Sequence, residues 1–100
     1  MGISEHYQDE RLSREELIKR IGEGQVVKTK IIDRGHPNGA ELHCVTDTGI
    51  IIIYNVITGI MVTKLIGRPS QIKRVYGEER VPTAIWQLAI EHQRLRYNEV

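Results

Sequence analysis

The chain has 100 residues, of which 40% are hydrophobic and 27% charged, with a formal net charge of +1. That is one domain of ordinary globular composition, able to build a core but leaving much of its surface in water. The charge is too small to argue for nucleic acid by itself, the single cysteine excludes an intrachain disulfide, and no apolar run approaches the roughly 20 residues that cross a bilayer.

The charge is unevenly spread. Residues 1–23 sum to −2, residues 24–80 to +3 and residues 81–100 to zero. The acidic arm and mildly basic middle permit an anionic partner. Met1–Glu10 lacks the apolar core of a signal peptide, so the expected location is the cytoplasm. One Cys and four dispersed His show no metal-ligand spacing, and no cofactor is expected.

Residues 1–12 are charged and aperiodic and are expected to form a loose arm. Ser13-Arg14-Glu15-Glu16 carries the capping-box pattern, a Ser followed three residues later by Glu. Leu17, Ile18 and Ile21 then fall at helical spacing before Gly22 and Gly24, which predicts a short helix over 13–23.

Val26–Asp33 reads as a strand, followed by the turn signal His36-Pro37-Asn38-Gly39. Glu41–Asp47 reads as a second strand, with Thr48-Gly49 as a two-residue hairpin loop. Ile50–Asn55 is the third, and its four consecutive Ile imply a central strand covered on both faces. Thr58-Gly59 turns into the fourth strand, Ile60–Ile66, which Gly67-Arg68-Pro69-Ser70 breaks. Pro82 suits a helix start. Ile85, Leu88, Ala89, His92 and Leu95 then mark a longer helix over 82–97. The predicted fold class is α+β: a four-stranded antiparallel meander over 26–66 between a short N-terminal and a longer C-terminal helix, as a single domain.

The two-residue loop would place His43 opposite Tyr54 and Val45 opposite Ile52. With an even loop in the next hairpin, one face carries His43, Tyr54 and Thr63 among Val45, Ile52, Met61 and Leu65. The other carries Leu42, Cys44, Ile51, Ile53, Ile60, Val62 and Ile66, with Lys64 as the exception, and is the better surface for a helix. A one-residue slip would reverse these assignments.

Several residues suit chemistry, each with a plainer reading. His36, beside Arg34, has the unperturbed pKa of a general acid or base; the plain alternative is a solvated turn histidine. His43 and Tyr54, with Thr63 as a third donor, suit a phosphate, or simply pack. Arg68, Lys73 and Arg74, with Gln71 and Tyr76, suit a phosphate backbone and a stacked base, or a solvated loop. His92 is expected to be a satisfied, partly buried histidine. Trp86, Ile90 and Tyr97 form a second stripe on the last helix, either core or a homodimer contact, with core the better reading. Cys44 is expected to be a small buried apolar group. Phosphate loops, paired carboxylates and nucleophile elbows do not occur.

The helix-then-meander order, Arg34-Gly35-His36 before the second strand, and Val62-Thr63-Lys64-Leu65-Ile66-Gly67-Arg68-Pro69 at the end of the sheet resemble the barnase–EndoU–colicin–RelE group of small ribonucleases and toxins. The likeness spans residues 13–76 and is nearest to the compact versions carried by phages and mobile elements. It implies metal-independent cleavage of RNA. His36 or His43 would take the ribose 2′-OH proton. Arg68 or Lys64 would stabilise charge on the phosphate, and Thr63 and Tyr54 would orient it. Lys64, Lys73, Arg74 and Tyr76 would contact the RNA. The alternative is a non-catalytic binding module of phage or mobile-element type, dimeric through the last helix. A third reading is nucleic-acid binding without chemistry, which needs 64–80 to form one basic face.

Overall fold

The capping pattern at Ser13 forms as the sequence predicts. In the computed structural model, which describes residues 13–33, 35 and 39–97 and side chains as far as Arg94, Ser13 Oγ accepts the Glu16 N–H at 3.1 Å and Glu16 Oε1 accepts the Ser13 N–H at 3.2 Å. Helix α1 (Arg14–Ile21) follows, and the N–H of Gly22 closes it on the Ile18 carbonyl at 2.8 Å. Gly22 holds φ at +86°, a conformation that suits a residue without a Cβ.

Strands β1 (Val26–Ile32), β2 (Glu41–Thr46), β3 (Ile50–Asn55) and β4 (Met61–Ile66) form one antiparallel sheet in chain order, followed by helices α2 (Pro69–Tyr76) and α3 (Thr83–Tyr97). The class is α+β. Ile50, Ile51, Ile52 and Ile53 are 0, 1, 1 and 9% exposed, so the four-isoleucine strand is central and covered on both faces.

Helix α2 is an addition to the predicted order. The Gly67–Ser70 break is real, but Pro69 is also a good first helical residue, since its missing N–H has no intrahelical partner there. Gln71 Oε1 accepts the Arg68 N–H at 2.9 Å and satisfies one donor of that end. Ile72, Val75 and Tyr76 then fall on one face and are buried. What reads along the sequence as a basic segment is a short amphipathic helix.

The face assignments are corrected by the first hairpin. Its loop is one residue longer than Thr48-Gly49: the Gly49 N–H reaches the Thr46 carbonyl at 3.0 Å, Gly49 takes φ +86°, and Val45 pairs with Ile51. Positive φ at the last residue of a three-residue loop is a common hairpin solution. Thr46 fastens it from within, its Oγ1 accepting the Ile50 N–H at 3.1 Å and the Thr48 N–H at 3.3 Å. The pairing slips by one. His43 lies opposite Ile53, and Leu42 opposite Tyr54. The register shifts again between β3 and β4, where Ile53 pairs with Thr63 but Tyr54 with Met61, leaving Val62 as the extra residue of a bulge.

His43 therefore shares a face with Val45, Ile51, Ile53, Thr63 and Leu65. That face is covered by α2 and α3: Val45, Ile51 and Ile53 pack with Ile72, Val75, Tyr76, Ile85 and Ala89. Tyr54 is on the opposite face, with Cys44, Ile50, Ile52 and Ile66, against Leu17 of α1. Both faces carry helices, as the four consecutive isoleucines of β3 imply.

On α3, Ile85, Ala89 and His92 are buried, as the helical stripe predicts. Trp86 is half-buried and Ile90 is 42% exposed, so the core reading of the second stripe fails at Ile90. The side chains of Leu95 and Tyr97 lie outside the described residues.

Candidate functional site

Strand period places Glu41 and His43 on the same face of β2. Glu41 Oε1 stands 3.1 Å from His43 Nε2, and the ring is 5% exposed. An ionised carboxylate only accepts, so Nε2 carries the proton in this pair and Nδ1 of the neutral ring keeps the lone pair. A carboxylate that fixes the tautomer of a histidine is the arrangement of a positioned general base.

Helix α2 supplies the other wall. Gln71 and Arg74 are three residues apart and so lie on one side of the helix. With His43, Ile51, Ile53 and Leu65 they line a cavity of about 200 Å³. The base is thus at an apolar floor and a guanidinium at the rim. Arg74 makes no ion pair with any described residue. Lys30 pairs across the strands with His43, and its Nζ lies 3.5 Å from the Arg74 carbonyl oxygen, which brings a second cation to the same side. A buried His held by a half-buried Glu, beside two cations, suits an anion carrying a removable proton.

The remaining expected site residues are dispersed. Tyr54 is on the far side of the sheet from His43, so the His43–Tyr54–Thr63 surface does not form. Thr63 is half-buried on the edge strand and borders the groove between α1 and β4. Lys64 faces α1, where its Nζ bonds Glu23 Oε1 at 2.8 Å. Arg68 and Lys73 are exposed on the start and outer side of α2. Tyr76 is 7% exposed and forms part of the core, which removes it as a platform for a base. Burial pushes its phenol up, against the nearby Lys28, whose Nζ lies 5.8 Å from the ring centroid and 2.7 Å from Glu79 Oε1. Burial also pushes the Cys44 thiol up, as suits an inert core cysteine. His36, with Arg34, lies outside the described residues.

Glu41 is absent from the sequence reading of the site, and Gln71 enters it only as a neighbour of Arg68, Lys73 and Arg74. The Glu-x-His spacing on a strand was the available signal for Glu41. The place of Gln71 beside His43 is legible only once the segment after Pro69 is known to be helical.

Among the described residues, no group of three or more His, Cys, Asp and Glu stands together to hold a metal ion. No helix of the described residues is long and apolar enough to cross a membrane. Compared with protein-family models, with curated proteins and with solved structures, the chain matches none.

Proposed function

We propose that the cavity beneath α2 receives a phosphodiester of RNA and that the protein is a metal-independent ribonuclease or toxin-like relative. The observation that carries this reading is the buried His43, held by Glu41 and lining a cavity shared with Gln71 and Arg74.

In this reaction His43 Nδ1 takes the proton of the ribose 2′-OH as the 2′-oxygen attacks phosphorus. The bond to the 5′-oxygen breaks, leaving a 2′,3′-cyclic phosphate, and water supplies a proton to the departing 5′-oxygen. Glu41 holds the ring and stabilises it once charged. Arg74 and Lys30 offset the charge that builds on the phosphate, where fixed cations in a partly dry site act more strongly than in water. A cavity of about 200 Å³ admits a phosphate and part of a sugar. The bases then stay outside, where Lys73 and Arg68 would meet the neighbouring phosphates.

The test is incubation of the protein with a mixed RNA substrate in EDTA, beside His43→Gln and Arg74→Ala, with thermal melts to show that both variants fold. Cleavage should persist in EDTA and fall by about 10² to 10⁴ in His43→Gln. Undiminished cleavage by folded His43→Gln would remove the proposed base.

A second reading has its own support. Ile57 and Ile60, at the tip of the β3–β4 hairpin, are 72% and 67% exposed, beside Met61 and Val62 at 47% and 54%. Turn tips are usually polar, and a cluster of exposed apolar side chains suits a protein-binding module. The homodimer form of this reading, through Trp86, Ile90 and Tyr97, rests on the exposure of Ile90. No cleavage at micromolar protein, with all variants folded, would favour the non-catalytic module.

A further inference from the structure

The end of α3 meets the β2–β3 turn through one unusual contact. His92 is 5% exposed, and its Nδ1 is buried with no hydrogen-bond partner. The ring lies over Gly49: a Cβ added there would stand 3.4 Å from His92 Cε1 and Nδ1 and 3.8 Å from Leu88 Cβ. The turn has little room to adjust. Gly49 takes φ +86°, its N–H is held by Thr46, and its carbonyl accepts the Gly67 N–H at 2.8 Å. The expected satisfied histidine is therefore an unsatisfied one, packed between a helix and a tightly bonded turn.

We propose that His92 is a proton-sensitive latch, which docks the second half of α3 on the β2–β3 turn while the ring is neutral and releases it when the ring is protonated.

The neutral ring fits because an acceptor nitrogen facing apolar surroundings costs less than a charged N–H in the same place. Protonation adds a donor and a charge where no described group receives them. The charges around the contact do not rescue it. Glu91, next along α3, favours the charged ring, but burial outweighs it and pushes the histidine below its ordinary value. Asp47, in the same turn, already accepts the Gln25 N–H at 3.0 Å. Arg68, which follows Gly67, is an exposed cation and offers no compensation.

The direction follows from linkage. The docked ring binds its proton more weakly than a solvated one. Docking is therefore at full strength above a pH of about 6.5 and weakens as pH falls, by close to tenfold per unit, until the docked ring itself titrates. Between pH 7.5 and pH 5.0 the opening equilibrium should rise by up to roughly thirtyfold. The consequence reaches α2, because Ile85 and Ala89 of α3 share a core with Ile72 and Val75.

The experiment is amide hydrogen exchange at pH 7.5 and 5.0, corrected for the intrinsic pH dependence of exchange, on the whole chain and on His92→Leu. Protection over residues 88–94 should fall at pH 5.0, by up to roughly thirtyfold, while that of Ile50–Ile53 is held, and His92→Leu should keep its α3 protection at both values. Equal protection of wild-type α3 at the two pH values would overturn the latch. So would an equal loss in His92→Leu. Should His92→Leu fail to fold, the His92 Cε1–H resonance of the wild type decides: protonation in step with the loss of protection supports the latch, and protonation with α3 still protected overturns it.

Discussion

The two sides of the sheet are built differently. The side under α2 and α3 joins strand residues to five from two helices, and it encloses polar groups, His43 among them. The side under α1 rests on a helix of eight residues, of which only Leu17 is fully buried, with Ile18 and Ile21 partly so. On this side the row Ile31, Leu42, Tyr54 and Met61 crosses the sheet, and its outer members are 59% and 47% exposed. One side closes over a cavity lined by His43, Gln71 and Arg74, while the other is a partial lid over apolar surface. The two inner strands are buried on both faces over four residues each, while the edge strands β1 and β4 are largely exposed or half-buried.

That contrast can be broken by truncation. Ile72→Ala empties a fully buried site on the α2 side and should cost about 3–4 kcal/mol, within the range of buried aliphatic truncations. Leu17→Ala, under the thinner lid, should cost about 2 kcal/mol, because α1 can settle into the space. Urea unfolding of both variants checks this. Equal losses would mean that α1 is as firmly packed as α2.

The lid itself depends on its cap. Ser13→Ala removes the acceptor of the Glu16 N–H and should cost about 1 kcal/mol. The loss should appear as faster amide exchange in α1 with little change in α2. A uniform loss across both helices would show that the two sides fold as one cooperative unit. The smallest effect is expected at the apolar tip, where Ile57→Ser should change stability by less than about 0.5 kcal/mol in the monomer. A drop of more than 1 kcal/mol in the melting analysis would reveal a contact at Ile57 that its exposure hides.

Much of the fold is legible along the chain because it rests on local chemistry. The capping box at Ser13, the four isoleucines of β3 and the turns at Gly49 and Gly59 each state their structure within a few residues. The site is less legible. Whether His43 faces Tyr54 or Ile53 depends on a loop of two or three residues, and Thr48-Gly49 is compatible with either. The deciding interactions are the Thr46 hydroxyl inside the hairpin and the Gly67 N–H on the Gly49 carbonyl, from a segment distant in sequence. Helix α2 was hidden for a related reason. Gly-Arg-Pro-Ser both ends a strand and begins a helix, and eight residues are too few to be helical without a surface to pack on.

The sequence by itself therefore determined the class, the order of the strands and the ends of most elements, because propensity, capping and turn chemistry act over a few residues. Only the tertiary structure decided which side chains meet. It moved Tyr54 away from His43, buried Tyr76, and brought Glu41, Gln71 and Arg74 to His43. Side-chain direction on a strand reverses with every residue, so a single extra residue in a hairpin changes the face of everything beyond it.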